Sequence, residues 1–127
     1  MELEFGKEFY DSETALRGVK NKPDFWDIEK NRPTSAVFKD SKGLSVNRTG
    51  ENKKYYIISL ETLKTNLGEN IRAVAEVNCG DCKDLEVYLK YCPLRDNIYH
   101  SEIHRSENQI LLSKQQAKKL AELCKIV

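Results

Sequence analysis

The densest group of side chains that could do chemistry lies near residue 100, where both histidines of the chain flank a glutamate. His100, Glu102 and His104 alternate with residues that include Tyr99 and Ile103. Because a β-strand repeats every two residues, this alternation predicts a strand with the three polar side chains in one row. Two imidazoles beside a carboxylate suit proton transfer or metal binding. His100 and Glu102 are therefore the candidate catalytic residues, and an ordinary solvated strand face is the alternative.

A second group with metal-binding character begins at the C-x-x-C motif of Cys79 and Cys82. His100 and His104 downstream complete the ligand types of a tetrahedral zinc site. The 17 residues between Cys82 and His100 exceed the usual finger spacing of about twelve. Two histidines four residues apart on a strand stand roughly 13 Å apart, so only one could join the cysteines. We therefore expect no cofactor, with zinc at Cys79, Cys82 and His100 as the alternative.

A third group could bind an anion. Guanidinium forks and hydroxyl donors are the groups that hold a phosphate or a carboxylate. Hydroxyls beside turns also cap backbone groups, which is the alternative interpretation. The candidate anion-binding residues are Arg17, Arg32, Ser35, Ser45 and Arg48.

Most of the anion-binding candidates lie in the segment 31–48. Two brief apolar runs, 36–38 and 44–46, enclose a turn-type sequence at 39–43. This pattern predicts a β-hairpin-like unit that presents polar groups.

Strand and helix patterns alternate along the rest of the chain. Strands are predicted at 16–19, 71–77, 84–91 and 98–104. The second and third of these are expected to form an antiparallel hairpin across a tight turn at 79–82. Ser59 is expected to cap a short helix that stops at Gly68, and Ser113 a C-terminal helix with a basic outer face. Phe25, Trp26 and Ile28 are expected to plug one end of the core.

Length and composition indicate a single domain. A chain of 127 residues is about one domain by the usual size relation. Since 39% of its residues are hydrophobic and apolar runs occur throughout, we expect it to fold. The expected class is α+β, with a small, mainly antiparallel sheet, a short middle helix and a C-terminal helix. Residues 1–127 form the domain, with 1–14 as a loosely docked N-terminal arm.

The net charge and the lengths of the apolar runs argue against a protein that coats DNA, covers a membrane surface or spans a membrane. With 21 basic and 20 acidic residues the net charge is +1, too small for a protein that coats DNA or a membrane surface. No apolar run approaches the eighteen or so residues of a membrane helix, and the N-terminal Glu2 and Glu4 are unlike a secretory signal. We expect a cytoplasmic protein whose four cysteines are reduced.

Several short motifs resemble a widespread group of small uncharacterised bacterial and phage cytosolic proteins. These motifs are L-R-G at 16–18, R-P-T-S-A-V-F-K-D at 32–40, L-S-V at 44–46 and H-S-E-I at 100–103. In that group an arginine, an R-P-S-S-x-x-F-K-D block, an S-V pair and a late histidine recur in this order. The resemblance implies a bacterial or phage cytosolic origin and a site that involves Arg17, Arg32, Ser35, Ser45 and His100. Cys79 and Cys82 do not belong to its pattern.

Two classes of function follow. The first is an enzyme-like site for a phosphate-bearing small molecule, a nucleotide or RNA, in which arginines and serines hold the anion and His100 or Glu102 moves a proton. It requires those two residues to lie within reach of Arg17, Arg32 or Ser45. The second is a non-catalytic module that binds a protein or nucleic acid through its strand edges and basic last helix, with salt-dependent binding and no turnover.

Overall fold

The computed structural model describes residues 5–127 as an α+β fold, which confirms the predicted class. The main elements in chain order are β1 (Thr14–Lys20), β2 (Trp26–Asp27), β3 (Arg32–Pro33), β4 (Leu44–Arg48), α1 (Tyr56–Leu67), β5 (Ile71–Asn78), α2 (Cys79–Asp84), β6 (Tyr88–Tyr91), β7 (His100–His104), α3 (Lys114–Leu123) and β8 (Lys125–Ile126). Short 3-10 turns occupy Pro23–Phe25, Ser35–Phe38 and Glu51–Lys53.

One six-stranded sheet organises the fold. Its strand order is β6-β7-β4-β1-β5-β8, and every neighbouring pair is antiparallel. Strands β2 and β3 form a separate two-stranded ribbon. Among the helices of residues 5–127, none combines the length and apolar character that a membrane span requires.

The two faces of the sheet have different coverings. Side chains of residues paired across an antiparallel ladder point to the same face. Leu16 pairs with Asn47, and Asn47 with His100, so these three residues share one face. Helix α1 covers part of that face, where its Leu63 packs on Leu16. The larger core lies on the opposite face, where the buried side of α3 and the 3-10 turn at Ser35–Phe38 join the sheet.

The segment 31–48 is not the predicted hairpin. Its first apolar run forms the 3-10 turn Ser35–Phe38, and only the second run is a strand, β4, whose partners are β1 and β7. Val37 and Phe38 are fully buried against the core. A run of three apolar residues is shorter than a usual strand, and a turn places both side chains inward where a strand would alternate them.

The hairpin predicted from 71–77 and 84–91 is also wrong. Residues 79–84 form helix α2, capped by Asn78, whose side-chain oxygen accepts the Asp81 N–H at 3.0 Å. The strand after it shortens to β6 and pairs with β7, while β5 pairs with β1 and β8. A helical turn at this point directs the chain away from β5, so the two strands end up far apart in the sheet order.

Both predicted helices are present, but α1 begins at a different residue from the one predicted. Helix α1 stops at Gly68, which has φ +70°, as expected, but it begins at Tyr56, ahead of Ser59. Ser59 lies inside the helix and its hydroxyl donates to the Arg48 carbonyl at 2.8 Å. The cap of α3 is confirmed, because the Ser113 side chain accepts the Gln116 N–H and the Gln116 side chain accepts the Ser113 N–H.

The N-terminal segment and the aromatic cluster differ from expectation. Phe9 and Glu13 are buried and anchor the described part of the predicted loose arm, whereas residues 6–8 and 10–12 are exposed. The acidic residues Glu2 and Glu4 lie outside the described residues. Trp26 is half-buried as predicted, but Ile28 is 84% exposed and does not plug the core.

Candidate functional site

Strand pairing between β4 and β7 brings Ser45 and His100 together. Ser45 pairs with Glu102, and Asn47 pairs with His100, so all four side chains share one face. The His100 Nε2 atom lies 3.2 Å from the Ser45 hydroxyl oxygen, although 55 residues separate them in the chain. Of the residues named as anion-binding candidates, Ser45 is the one whose side chain hydrogen-bonds the predicted polar row.

The imidazole of His100 is held at both nitrogens. Its Nδ1 atom lies 2.8 Å from the backbone carbonyl oxygen of Cys92. A carbonyl only accepts hydrogen bonds, so Nδ1 carries the proton and donates it. In the neutral ring Nε2 is then unprotonated and accepts the Ser45 hydroxyl. The backbone therefore selects the tautomer whose free nitrogen faces Ser45.

Cys92 stands beside His100 across the β6–β7 pairing. Its backbone N–H donates to the His100 carbonyl at 3.3 Å, and its Sγ atom lies 3.5 Å from His100 Nδ1. Burial, and next the negative charge of Glu102, raise the pKa of the Cys92 thiol to about 11. Ligand atoms of Cys92, His100 and Glu102 all lie within 4.8 Å of one another.

The Glu102 carboxylate is positioned from two sides. The His104 Nε2 atom lies 2.8 Å from Glu102 Oε1. On the other side the carboxylate lies against Gly43, which has φ +117°. A Cβ atom at this position would overlap Glu102 Oε1. Gly43 is therefore required both for its left-handed backbone and for its lack of a side chain.

A cleft opens next to Ser45 and His100. Its volume is about 260 Å³, and it lies between the end of α1, strand β4 and the turn at 94–97. Leu63, Leu67 and Leu94 supply apolar walls, and Asp96 is the charged residue among its lining groups. The lining contains no lysine or arginine, so the cleft itself does not favour an anion.

Arg48 is not an anion-binding residue. Its side chain is completely buried, and its guanidinium donates to both carboxylate oxygens of Glu13, at 3.0 and 2.8 Å. Two further N–H groups donate to the carbonyls of Gly6 and Glu8, and the guanidinium stacks on the Phe9 ring at 4.0 Å. Arg48 therefore ties the N-terminal segment to the sheet.

Arg17, Arg32 and Ser35 lie apart from His100. Arg17 pairs with Ala75, which places its side chain on the opposite face, where it donates to the carbonyls of Val37 and Ser45. Burial lowers the pKa of Arg17, while the Asp40 carboxylate opposes that shift. Arg32 and Ser35 line a separate cleft of about 300 Å³ against α3. The predicted anion-binding residues therefore do not form one site.

The zinc alternative with Cys79, Cys82 and His100 is not supported by the structure. Both cysteines are fully buried in the core, and burial raises the pKa of each thiol, that of Cys82 to about 12. Among residues 5–127 the group with metal-binding geometry consists of Cys92, His100 and Glu102.

Sequence reasoning missed Cys92 as the partner of His100. The sequence contains a partial signal, because the turn-type residues 93–97 predict a hairpin. A turn centred on residue 95 would place position 90 opposite position 100, so the observed register, in which Tyr91 pairs with Ser101, does not follow from it. Contact of Ser45 with His100 has no such signal, because it depends on pairing between strands far apart in the chain.

Comparisons of the chain with protein-family models, curated proteins and solved structures found no match. The geometry around His100 is therefore the basis for assigning a function.

Proposed function

We propose that the protein is a small enzyme in which Ser45 is the nucleophile and His100 the general base. The observation that carries the proposal is the contact of both His100 nitrogens: Nδ1 with the Cys92 carbonyl and Nε2 with the Ser45 hydroxyl. A base held in one tautomer beside a hydroxyl is the arrangement that activates a serine. Here a backbone carbonyl takes the orienting role that a carboxylate has in a serine-histidine-aspartate triad.

The first half of the reaction, which leaves the acyl or phosphoryl group on Ser45, would proceed in two proton transfers, and a water deprotonated by His100 would then attack that group and release it from Ser45. His100 Nε2 takes the hydroxyl proton as Ser45 Oγ attacks an acyl or phosphoryl centre, and the imidazolium then gives that proton to the leaving group. The Cys92 carbonyl continues to accept the Nδ1 proton during both steps. The Glu102 carboxylate has an oxygen within 4.8 Å of a ring nitrogen of His100.

The cleft narrows the substrate class. Its volume of about 260 Å³ is just below the usual range of about 300–1,000 Å³ for small-molecule sites. Leucine walls and the Asp96 carboxylate favour a small neutral ester or amide over a polyanion. A nucleotide or an RNA end would need its phosphate to lie outside the cleft, so these substrates rank second.

A serine-reactive fluorophosphonate probe tests the proposal. We expect one adduct per chain, which mass spectrometry of peptides locates at Ser45. Ser45→Ala should abolish the adduct, and His100→Gln should slow labelling about 10²- to 10⁴-fold, the usual contribution of a general base. Ser35→Ala, a serine in the separate cleft, is the matched control and should label like the parent protein. Labelling spread over several serines, or labelling that His100→Gln leaves unchanged, would refute the proposal.

A nucleic-acid-binding surface is the second candidate. The observation that favours it is the cleft against α3, where Lys30, Arg32 and Lys118 lie beside the Thr34 and Ser35 hydroxyls, although Asp27 and Glu122 also line it. Binding there would depend steeply on salt and proceed without turnover. Arg32→Ala should weaken it and Ser45→Ala should not, whereas the enzyme requires the opposite.

A further inference from the structure

His100, the proposed general base, and two side chains next to it have the chemistry of metal ligands. Cys92 supplies a thiol, His100 an imidazole and Glu102 a carboxylate, and one ligand atom from each lies within 4.8 Å of the other two. We infer that these residues form a binding site for a divalent transition metal of the zinc type. The inference does not depend on Ser45 being a nucleophile.

The distances suit a tetrahedral ion. Zinc bonds of about 2.3 Å to sulfur and 2.0–2.1 Å to nitrogen, with a tetrahedral angle between them, place the two ligand atoms about 3.6 Å apart. The Cys92 Sγ atom lies 3.5 Å from His100 Nδ1. The separation of the sulfur and the nitrogen therefore already suits the ion, and the His100 ring must turn its Nδ1 atom away from the Cys92 carbonyl oxygen, which lies 2.8 Å from it.

The backbone explains why the three ligands are close. His100 and Glu102 are two residues apart on β7 and point to the same face. Cys92 follows β6 directly, and its N–H donates to the His100 carbonyl, which continues the β6–β7 pairing by one residue. The ligands therefore stand on paired strands, which hold side chains more precisely than loops do.

The ligand types select the metal. A thiolate with an imidazole and a carboxylate suits Zn²⁺ or Co²⁺, whereas Mg²⁺ and Ca²⁺ prefer oxygen ligands. Three protein ligands leave a fourth tetrahedral position for water or a substrate atom, as in catalytic zinc sites.

Supporting hydrogen bonds to the ligands are already in place. A metal-binding histidine usually donates its other ring N–H to an acceptor, and ligating carboxylates are themselves hydrogen-bonded. With metal on Nδ1, His100 Nε2–H would donate to the Ser45 hydroxyl oxygen, 3.2 Å away. His104 Nε2 contacts Glu102 Oε1 at 2.8 Å. Each of these ligands thus has a partner that would hold it in position.

Metal binding would change the proton arrangement of the site. The ion needs the Nδ1 lone pair, so the hydrogen bond from Nδ1–H to the Cys92 carbonyl is lost and the ring proton resides on Nε2. Nε2 can then no longer accept the Ser45 proton. The metal-bound state and the active serine are therefore mutually exclusive.

Cobalt spectroscopy of the full chain tests the inference. Under a non-coordinating reductant, we expect one Co²⁺ per chain with tetrahedral d–d bands and a sulfur-to-cobalt charge-transfer band, and Zn²⁺ should displace the cobalt. Cys92→Ser should remove the charge-transfer band, and Glu102→Gln should weaken Co²⁺ binding more than 100-fold. His104→Gln, which removes only a supporting contact, should weaken it about 10- to 100-fold.

Two controls separate metal binding at this site from binding at another thiol and from the serine chemistry. Cys124→Ser changes a half-buried thiol whose contact is the Ala121 carbonyl, and it should leave the band unchanged. Ser45→Ala removes the proposed nucleophile and one supporting contact of His100, so it should weaken Co²⁺ binding about 10- to 100-fold but keep the band at saturating cobalt. A failure of the serine chemistry would therefore not resemble a failure of metal binding. A band that survives Cys92→Ser, a band lost in Cys124→Ser, or no cobalt spectrum in the parent protein would overturn the inference.

Discussion

Replacing Glu13 by glutamine tests the buried ion pair that ties the N-terminal segment to the sheet. Glu13 and Arg48 are both completely buried, and the guanidinium contacts both carboxylate oxygens. Glu13→Gln keeps the shape of the side chain but removes the negative charge, and it turns an amide NH₂ towards a guanidinium. The Arg48 charge is then left buried without a counter-charge.

The expected loss of stability is large. Removing one partner of a buried ion pair costs about 3–5 kcal/mol, because the remaining charge is uncompensated. A domain of this size has a free energy of unfolding of about 5–15 kcal/mol, so the loss is a large part of the whole. At about 3–5 °C for each kcal/mol, the melting temperature should fall by roughly 10–25 °C.

Urea unfolding followed by the fluorescence of Trp26, the single tryptophan, measures this loss. Glu122→Gln is the matched control, because its contact with Lys119 is exposed and 3.7 Å long, and it should change stability by less than about 0.5 kcal/mol. Glu13→Gln combined with Arg48→Met should cost less than the sum of the single changes. If Glu13→Gln alone loses less than about 1 kcal/mol, the ion pair does not stabilise the fold as argued.

Three further predictions concern the site and the buried thiols. Gly43→Ala should lower the free energy of unfolding by about 1–3 kcal/mol and weaken cobalt binding, because the added methyl group would overlap the Glu102 carboxylate. Gly68→Ala is the control: this glycine also has a positive φ, +70°, but no atom lies near the added methyl group, so cobalt binding should not change. Added Zn²⁺ should slow fluorophosphonate labelling of Ser45 in proportion to occupancy, and undiminished labelling at saturation would contradict mutual exclusion. Burial raises the pKa of Cys82 from 9.0 to about 12, so the stability from its protonated thiol is complete below pH 9 and is lost as the pH rises towards 12. At pH 10 the loss should be on the order of 1 kcal/mol, and urea unfolding of Cys82→Ala should lack this pH dependence.

Elements with a local signal were predictable from the sequence. The C-terminal helix follows from its capping box at Ser113 and Gln116, and the end of α1 from Gly68, because both depend on residues a few positions apart. The alternation at 71–77 likewise indicated β5. Contacts with residues distant in the chain have little influence on such elements, so a short stretch of sequence is enough to predict them.

Features that depend on distant pairing were not predictable. Arg48 resembles a surface arginine in sequence, and its burial depends on Glu13, 35 residues earlier. The run 55–60 has strong β propensity, yet it is mostly helical because α1 packs on Leu16 and Val74. For the site, the row of His100 and Glu102 follows from strand periodicity, whereas the position of Ser45 needs the β4–β7 register.

The strand order has a consequence for how the chain acquires its structure during synthesis. Strand β4 lies between β1 and β7, and Ser45 precedes His100 by 55 residues. At about 5–20 residues per second, a ribosome needs roughly 3–11 s to make that interval. During those seconds one edge of β4 has no partner strand, and unpaired strand edges are where nascent chains associate wrongly. This edge of β4 is therefore the part of the sheet most open to wrong pairing until β7 has emerged.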